Sequence, residues 1–311
     1  MIHVYFAGHP KSWPTYQPLL AEGLSAAGLQ ATVSNEAPDP AAVDFIVYSP
    51  DGPLQDFGPF TKAQAVLSLW AGVERVVSNP TLTQPLCRMV DPGLTHGMTE
   101  WVVGNVLRYH LGLDAHVTVQ DGSWRDHLVP PLAADRCVGI LGMGALGAAS
   151  GRALATLGFE VLGWSRRRKR IARIASYSGD KGLATVLSRA EILVLLLPQT
   201  PQTTGIINAA TLMRMPKGAM LLNPGRGPLV DDAALLGALD RGHIAHATLD
   251  VFAKEPLPKV HPYWAHPKVT VTPHVASVTR APSAVQAIVQ NIARAVAGEP
   301  LLNQVNPKTG Y

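Results

Sequence analysis

A glycine-rich turn near the middle of the chain constrains the fold more than any other feature. The apolar run Cys137–Leu141 leads directly into Gly142-Met143-Gly144-Ala145-Leu146-Gly147, and the good helix formers Ala148–Leu157 follow. In a strand–turn–helix segment, the first glycine permits the tight turn, the second lets the backbone approach a pyrophosphate, and the third allows close packing of helix on strand. The segment therefore predicts a βαβ unit that binds a dinucleotide, although glycine-rich turns also occur at ordinary strand–helix junctions.

Strand-like runs alternate with helix-like ones along the whole chain, and several are apolar at every position. Such runs are expected for strands buried on both faces of a sheet, and the alternation predicts an α/β fold with parallel sheets and crossover helices. A chain of 311 residues should form roughly two domains. The predicted strands are Ile2–Ala7, Val43–Tyr48, Val66–Trp70, Val138–Leu141, Val161–Trp164, Ile192–Leu197, Ala219–Leu222, Ala245–Leu249 and Val269–Thr272.

The domain boundary is expected at a polar, turn-rich stretch, Asp91–Gly97, which precedes a predicted long helix. The last predicted helix, about Ser283–Val296, carries apolar residues at helical spacing and is expected to pack back on the N-terminal domain. We therefore predict a discontinuous domain of residues 1–96 and 281–311, and a nucleotide-binding domain of residues 97–280.

The positive charge of the chain is concentrated in one loop. The formal net charge is +4, but without the consecutive cations Arg166–Arg170 the chain has 21 basic and 22 acidic residues. The loop follows the second strand of the nucleotide unit, where an NAD site places an acidic residue for the ribose. Ser165 stands there instead, and a hydroxyl followed by Arg166 and Arg167 suits a 2′-phosphate that a carboxylate would repel. The sequence thus predicts NADP in preference to NAD; a solvated charged loop and a nucleic-acid patch are the alternatives.

Composition and the remaining motifs exclude several other classes. With 47% hydrophobic and 15% charged residues, the chain is expected to fold, and two cysteines, Cys87 and Cys137, suggest a reducing compartment. No basic leader and no long uncharged apolar run is evident, so we expect a cytoplasmic protein without a membrane partner. His243, His246, His261 and His266 lack companion ligands, so no metal site is predicted.

Four polar residues follow predicted strands in the second half of the chain, namely Arg226, Asp250, Glu255 and His274. The carboxyl ends of parallel strands form the ligand crevice of an open α/β sheet, so these side chains are expected to converge. A histidine taken alone is more often structural. The combination of His274 with an arginine and a glutamate favours a catalytic interpretation.

With the glycine motif upstream and Arg, Glu and His in this order, the chain resembles the D-isomer-specific 2-hydroxyacid dehydrogenases over essentially its whole length. It is similar in particular to their bacterial glyoxylate/hydroxypyruvate reductase group. The segments that carry the resemblance are Trp70–Val73, Trp164–Arg166, Leu195–Pro198 with Thr203, Gly205–Asn208, Leu249–Phe252, Glu255–Pro258, Thr272–Ala276 and the closing Gly310-Tyr311.

The resemblance implies two doubly wound parallel-sheet domains, a flavodoxin-like substrate domain and a Rossmann domain. It also implies reduction of glyoxylate to glycolate and of hydroxypyruvate to D-glycerate by NADPH. Arg226 would bind the substrate carboxylate and polarise the 2-keto group, and His274 would donate the proton. Glu255 would bond the other imidazole nitrogen, fixing the tautomer and favouring the charged acid. Asp250 would contact the carboxamide end of the cofactor.

Further contacts are implied by the same resemblance. Backbone amides near Ala71, Gly72 and Val73 would bind the substrate carboxylate, with domain closure assembling the site, and Trp70, Ala71 and Gly72 are the implied substrate-binding residues of this segment. Trp70 itself stands where relatives often carry a small residue, and it would either narrow the pocket or pack in the core, the latter being expected. The other implied cofactor contacts are Leu197, Pro198, Thr203, Pro224, Gly225 and Ala276.

Two features depart from the family or leave alternatives open. The pair Pro224-Gly225 is more constrained than the hydroxyl-plus-small pair common there. Trp124, in the connector before the nucleotide strand, either reaches a partner subunit, which would make the protein a homodimer, or packs as an ordinary core residue. Two other functions also remain open: a reductase of bulkier 2-keto acids such as phenylpyruvate, and a non-catalytic nucleotide-sensing protein.

Overall fold

The computed structural model describes residues 1–117 and 120–307, so the closing Gly310-Tyr311 lies outside the described residues. The chain divides into two compact units, a first unit of Met1–Leu94 with Thr279–Tyr311 and a second unit of Thr95–Val278. The strands are β1 Ile2–Ala7, β2 Ala31–Ser34, β3 Phe45–Tyr48, β4 Ala65–Ser68, β5 Leu86–Cys87, β6 Cys137–Leu141, β7 Glu160–Trp164, β8 Ala175–Tyr177, β9 Ile192–Leu195, β10 Ala219–Asn223, β11 Ile244–Leu249 and β12 Val269–Val271. The α-helices are α1 Trp13–Ala26, α2 Pro92–His110, α3 Leu113–Val117, α4 Ala145–Thr156, α5 Gly179–Arg189, α6 Ala209–Leu212, α7 Asp232–Asp240 and α8 Ala281–Val296.

The first unit is built on a parallel five-stranded sheet in the order β2-β1-β3-β4-β5, which is the flavodoxin-like order. Helix α8 returns from the C-terminal part of the chain and packs on α1. Its residues Val285, Ile288 and Ile292 join the buried core under β1, β3 and β4. The apolar residues whose spacing predicted this helix therefore form the face that completes the core of the first unit.

The second unit has a parallel seven-stranded sheet in the order β12-β11-β10-β9-β6-β7-β8. Numbered within the unit, this is 7-6-5-4-1-2-3, the Rossmann order with one further strand. The strand order reverses between β6 and β9, and ligands of open α/β sheets bind outside the carboxyl ends of the strands at such a point. The α/β fold class with two doubly wound sheets is thus confirmed.

The start of α2 differs from the sequence prediction. The stretch Asp91–Gly97 was expected to be turn-rich, but the helix begins at Pro92. The Asp91 carboxylate accepts hydrogen bonds from the backbone N–H groups of Gly93 (3.0 Å) and Leu94 (3.3 Å), as an N-cap aspartate does. Proline at the first helical position is also favourable, so the cap and the proline outweigh the glycines of this segment.

Three strands were not predicted, namely β2, β5 and β8. They contain two to four residues, and β2 alternates between half-buried and exposed positions instead of being apolar throughout. The nine predicted strands are all present, with bounds that differ by at most two residues. Runs rich in apolar residues, some with polar residues at alternate positions, thus predicted strands in this chain, whereas the edge strands β2, β5 and β8 lack such a run.

Candidate functional site

The glycine turn after β6 has the geometry that its sequence predicts. Gly142 has a φ of 110°, which side chains rarely adopt, and a Cβ there would lie 2.4 Å from the Leu196 carbonyl oxygen. A Cβ on Gly147 would lie 2.0 Å from the Gly142 carbonyl oxygen, so α4 starts directly against the turn. Met143 is buried, and its side chain packs where a Cβ of Gly163 on β7 would be.

The start of α4 is open on the side of Gly144. Gly144 is the N-cap of the helix, and no side chain accepts a hydrogen bond from the first turn. A Cβ on Gly144 would meet no protein atom within 4 Å, and both Gly144 and Ala145 are exposed. Unpaired N–H groups and the positive end of the helix dipole bind anions, so this part of the chain fits a dinucleotide pyrophosphate.

The basic loop begins at the end of β7. Ser165 is buried, its hydroxyl donates to the Arg167 carbonyl at 2.8 Å, and its backbone N–H donates to the Tyr177 carbonyl at 3.2 Å. Arg166 and Arg167 are exposed. The hydroxyl must turn away from Arg167 before it can donate to a phosphate, whereas the guanidinium groups are accessible.

The segment after β9 forms the opposite side of the switch point. Leu197 is buried, and Leu196 N–H donates to the Leu141 carbonyl at 2.7 Å, which ties this segment to the end of β6. The Thr203 hydroxyl donates to the Pro198 carbonyl at 2.7 Å. Thr203 therefore fixes the loop that begins at Pro198. This hydrogen bond is made to the protein itself, whereas the sequence predicted a contact of Thr203 with the cofactor.

Three neighbouring strands end in register on the other half of the sheet. Asn223 of β10 pairs with Leu249 of β11, and Leu249 pairs with Val271 of β12. Arg226, Asp250 and His274 lie three, one and three residues beyond these strand ends. A Cβ on Gly227 would lie 2.0 Å from the Phe252 carbonyl carbon, so the turn carrying Arg226 touches the segment that leads to Glu255.

His274 and Glu255 form a direct pair. His274 Nδ1 lies 2.7 Å from Glu255 Oε2, while Oε1 of the same carboxylate accepts a hydrogen bond from Phe252 N–H at 2.9 Å. Because a carboxylate only accepts hydrogen bonds, Nδ1 carries the proton in this pair and Nε2 is the ring nitrogen available for chemistry. The His274 side chain is 47% exposed, which leaves it accessible to a ligand.

Asp250 holds the loop that carries His274. Its backbone carbonyl accepts from His274 N–H at 2.8 Å, and its carboxylate accepts from Val275 N–H and Ala276 N–H, both at 2.9 Å. The Thr272 hydroxyl donates to the same carboxylate at 2.6 Å. His274 has a φ of 55°, a conformation that costs about 1–3 kcal/mol for a non-glycine residue and persists only where the surroundings impose it. The sequence predicted that Asp250 contacts the cofactor. The hydrogen bonds show that its carboxylate holds the loop that carries His274.

Sequence reasoning missed Asn223, the last residue of β10. Its buried side chain accepts from Gly225 N–H at 3.1 Å and donates to the Arg226 carbonyl at 2.9 Å, and this fixes the turn through the buried Pro224-Gly225 pair. A guanidinium nitrogen of Arg226 donates to the Gly225 carbonyl at 2.6 Å. A polar residue that ends an apolar strand was the signal that could have identified Asn223.

Trp70 does not lie in the core, so the expected core packing is wrong. Its side chain is 38% exposed at the carboxyl end of β4, next to Ala71 and Gly72. The Ser68 hydroxyl donates to the Trp70 carbonyl at 3.0 Å and accepts from Trp70 N–H at 3.1 Å. These two bonds fix the backbone just beyond the strand end and leave the indole at the surface of the first unit.

Trp124 is not an ordinary packing residue either, because 89% of its side chain is exposed. Neighbouring parts of the connector also expose apolar side chains, although a protein surface normally carries large ones only singly. These exposed side chains are Leu113, Val117, Leu128, Val129 and Leu132.

Neither a membrane-spanning helix nor a cluster of metal ligands is present in the part of the chain that the structure describes. None of its helices is both long and apolar enough to cross a bilayer. No group of three or more His, Cys, Asp or Glu side chains is placed to hold a metal ion there.

Fold and site together define a two-unit α/β protein whose larger unit is built to bind a dinucleotide. The sequence profile of the NAD binding domain of D-isomer specific 2-hydroxyacid dehydrogenases matches residues 106–276. The chain belongs to this family.

Three solved structures of the family are similar to the whole chain. A D-isomer specific 2-hydroxyacid dehydrogenase from Xanthobacter autotrophicus Py2, in complex with NADPH and MES, is 39% identical with a TM-score of 0.90, over 100% of this chain and 99% of that one. An NADPH-dependent glyoxylate/hydroxypyruvate reductase from Sinorhizobium meliloti, in complex with NADP and sulfate, is 34% identical with a TM-score of 0.86, over 100% and 99%. A probable 2-hydroxyacid dehydrogenase from Rhizobium etli CFN 42, in complex with NADP, HEPES and L(+)-tartaric acid, is 29% identical with a TM-score of 0.88, over 100% of both chains.

Proposed function

We propose that this dehydrogenase reduces small 2-keto acids with NADPH, converting glyoxylate to glycolate and hydroxypyruvate to D-glycerate. The observation that carries the proposal is the His274–Glu255 pair, which leaves the Nε2 atom of an accessible imidazole beside strand ends that also carry Arg226. The similarity to the Sinorhizobium meliloti glyoxylate/hydroxypyruvate reductase supports this choice of substrates.

The proposed chemistry assigns one task to each of the three residues. Arg226 binds the substrate carboxylate with its planar fork of donors and polarises the keto oxygen. Bound NADPH supplies the hydride that the keto carbon accepts. His274 enters the step doubly protonated, transfers the Nε2 proton to the keto oxygen and is left as the neutral imidazole with its proton on Nδ1; Nε2 then takes up a proton from solvent, and the product carries a neutral hydroxyl group. Glu255 keeps Nδ1 protonated and the ring oriented throughout.

We propose a preference for NADP over NAD on the basis of the residues that follow β7. The accessible guanidinium groups of Arg166 and Arg167 suit a 2′-phosphate, and no carboxylate stands at Ser165 to repel it. The turn Gly142–Gly147 would bind the pyrophosphate through its backbone. Leu197, Pro198, Thr203, Pro224, Gly225 and Ala276 remain predicted cofactor contacts.

Steady-state assays test the activity directly. Oxidation of NADPH is followed over glyoxylate, hydroxypyruvate, pyruvate and phenylpyruvate, and then repeated with NADH. We expect the highest kcat/KM with glyoxylate and hydroxypyruvate as substrates and with NADPH as cofactor. A preference for phenylpyruvate would favour the bulkier-substrate alternative, and no turnover with any substrate would favour the nucleotide-sensing one.

His274→Ala tests the mechanism. Loss of a general acid costs roughly 10²–10⁴ in rate, so kcat should fall by that factor while NADPH binding is retained. His266→Ala is the matched control, because that histidine stands before β12, at the opposite end of the strand from His274, and bonds Asp240. Near-normal turnover in His274→Ala would contradict the proposed role of His274 as the proton donor.

A homodimer is the proposed assembly. The exposed apolar side chains of the connector, Trp124 and Val129 among them, would be covered by a second copy of the chain. Sedimentation equilibrium of the wild type and of Trp124→Ser checks this, and a monomeric wild type would contradict it. Substrate binding by Trp70, Ala71 and Gly72 remains a prediction.

A further inference from the structure

The backbone of Leu69 and Trp70, just beyond β4, is held within the first sheet at three of its four polar groups. Leu69 N–H donates to the Tyr48 carbonyl at 2.7 Å, which continues the pairing of β4 with β3. Trp70 N–H donates to the Ser68 hydroxyl oxygen at 3.1 Å, and the Trp70 carbonyl accepts from that hydroxyl and from Met89 N–H, both at 3.0 Å. The fourth group, the Leu69 carbonyl, has no such partner in the sheet.

A proline in the neighbouring segment explains why the sheet offers the Leu69 carbonyl no donor. Tyr48 pairs with Ser68, and alternate residues of a parallel strand bond to the same neighbour, so the next N–H directed from β3 to β4 would belong to residue 50. That residue is Pro50, which has no N–H. Leu69 is only 4% exposed, and a buried carbonyl without a donor is destabilising, so the group needs a partner from elsewhere.

Thr279 supplies the missing donor from a distant part of the sequence. Its hydroxyl donates to the Leu69 carbonyl at 2.7 Å, and the two residues are 210 positions apart. Thr279 is the first residue of the C-terminal part of the first unit, and it follows His274 by five residues along the chain. The side chain of this one residue therefore completes the hydrogen bonding of the backbone at the carboxyl end of β4.

The residues that follow this backbone present unpaired donors. The N–H groups of Ala71, Gly72 and Val73 bond to no acceptor among the residues that the structure describes. The Val73 carbonyl accepts from Val76 N–H at 3.0 Å and from Val77 N–H at 2.9 Å, which closes the segment into a turn. Successive unpaired backbone N–H groups bind anions such as carboxylates. The direction in which they point depends on the backbone that leads into them, and that backbone is held by Thr279.

We propose that Thr279 is a positioning residue for the substrate. Its hydroxyl takes the place of the N–H that Pro50 lacks and holds the Leu69 carbonyl, so that the amides of residues 71–73 present a fixed site to the carboxylate of the 2-keto acid. This inference rests on the proposed reductase function. The carboxylate takes no part in hydride or proton transfer, so its binding contributes equally to the ground state and the transition state. Loss of the Thr279 hydroxyl therefore raises KM and leaves kcat unchanged.

Thr279→Val, which replaces the hydroxyl with a methyl group of similar size, tests the bond. We expect KM for glyoxylate to rise about 2–10-fold, the factor that corresponds to one hydrogen bond, while kcat and the Kd of NADPH stay constant. Thr279→Ser keeps the hydroxyl and should retain a KM close to that of the wild type. Thr185→Val is the matched control, because it removes a hydroxyl that donates to a carbonyl at 2.9 Å within α5, and it should leave KM unchanged.

Amide hydrogen exchange of the protein without substrate provides a reading that needs no turnover. The amides of Leu69, Trp70 and Met89 should exchange faster in Thr279→Val, and at the wild-type rate in Thr279→Ser and Thr185→Val. Unchanged KM and exchange in Thr279→Val, an equally raised KM in Thr279→Ser, or a lower unfolding temperature with unchanged KM would overturn the role of Thr279. A wild type that turns over no keto acid, with the expected exchange pattern, would instead overturn the proposed function and with it the substrate role of an intact Thr279 bond.

Discussion

The loop that carries His274 depends on one buried carboxylate. Asp250 accepts three hydrogen bonds there, from Thr272, Val275 and Ala276, and the loop holds His274 in its left-handed conformation. A single side chain thus sets where the imidazole points, while Glu255 sets which nitrogen carries the proton. Position and protonation of the proposed acid are controlled by different residues.

Asp250→Asn separates positioning of His274 from a cofactor contact. The amide turns an NH₂ group toward backbone N–H donors, so one charge-assisted bond is lost, at a cost of about 1.5–3 kcal/mol, or roughly 10–100-fold in kcat. If Asp250 positions the loop, kcat falls and the Kd of NADPH stays constant. A raised Kd with unchanged kcat would instead support the predicted carboxamide contact. Thr272→Val, which removes only the hydroxyl bond, should show a smaller effect in the same direction.

Asn223→Ala should impair the turn that carries Arg226. The substitution leaves Gly225 N–H and the Arg226 carbonyl without their buried partner, which costs about 1–3 kcal/mol of unfolding free energy. Displacement of Arg226 should also raise KM for the keto acid. Urea unfolding and steady-state kinetics measure the two effects. An unchanged KM would show that Arg226 keeps its place without Asn223.

Both cysteines should behave as inert core residues. Burial raises the pKa of the Cys87 thiol to about 11 and that of Cys137 to about 12. The native thiols are therefore neutral at pH 8, where a free cysteine is partly thiolate. Labelling with Ellman's reagent should be slow in the native protein and should reach two thiols per chain in denaturant. Rapid native labelling would show that the β5 or β6 position opens readily.

At the scale of residues, the sequence identified candidate site residues where a polar side chain follows an apolar strand. Glu255 and His274 follow strands that are recognisable in the sequence, so the pair that they form could be predicted. Asn223 was missed although it is a polar residue that ends an apolar strand, because its role in holding the turn through Gly225 becomes visible only in the hydrogen bonds. The exposure of Trp70 was also missed, since the hydrophobicity of tryptophan favours the core and only the strand end at Ser68 leaves the indole outside.

At the scale of elements, the strand–turn–helix unit β6–α4 offers a matched pair of glycines. Gly144→Ala places a methyl group where no protein atom lies within 4 Å, at a φ of −74° that alanine tolerates. Stability should be unchanged while the Kd of NADPH rises, because the methyl group occupies the approach to the pyrophosphate. Thermal unfolding and fluorescence titration provide the two readings.

Gly142→Ala is the counterpart, because we expect it to lower the stability of the protein, which Gly144→Ala should leave unchanged. Its φ of 110° and the Leu196 carbonyl oxygen at 2.4 Å from a Cβ make the substitution strained inside the protein itself. We expect a lower unfolding temperature even without a nucleotide. If Gly144→Ala destabilised the protein as strongly as Gly142→Ala, the open space at Gly144 would have a structural role.

Elements were predictable where length and apolarity coincide. The central strands β3, β6 and β9 are buried at every position, and strands buried on both faces consist of uninterrupted apolar runs. β5 contains only two residues, and β8 lacks the β-branched residues that made the equally short β12 recognisable. The start of α2 was hidden by glycines, because the deciding contact is the hydrogen bonding of a single carboxylate, that of Asp91.

At the scale of the molecule, the two units have separate hydrophobic cores. Every buried residue in the two clusters of the first unit belongs to Met1–Leu94 or Thr279–Tyr311, and the two clusters of the second unit lie within Thr95–Val278. The net charge of +4 likewise describes one loop of the second unit and not the whole chain. Composition alone could not show this, because it averages over units whose surfaces differ.

A fragment of residues 91–278 should fold and bind NADPH without reducing keto acids. It keeps the Asp91 cap of α2, both cores of the second unit and every residue proposed here to hold the dinucleotide. It lacks Trp70, Ala71 and Gly72, whose predicted role is to bind the substrate. The remaining sequence 1–90 should not fold alone, since it lacks the buried α8 residues Val285, Ile288, Val289 and Ile292. At roughly 1.5–3 kcal/mol each, their burial is comparable to the whole stability of a typical domain, about 5–15 kcal/mol. Circular dichroism and fluorescence titration of the two fragments check both expectations, and a folded 91–278 that fails to bind NADPH would show that the dinucleotide site needs the first unit.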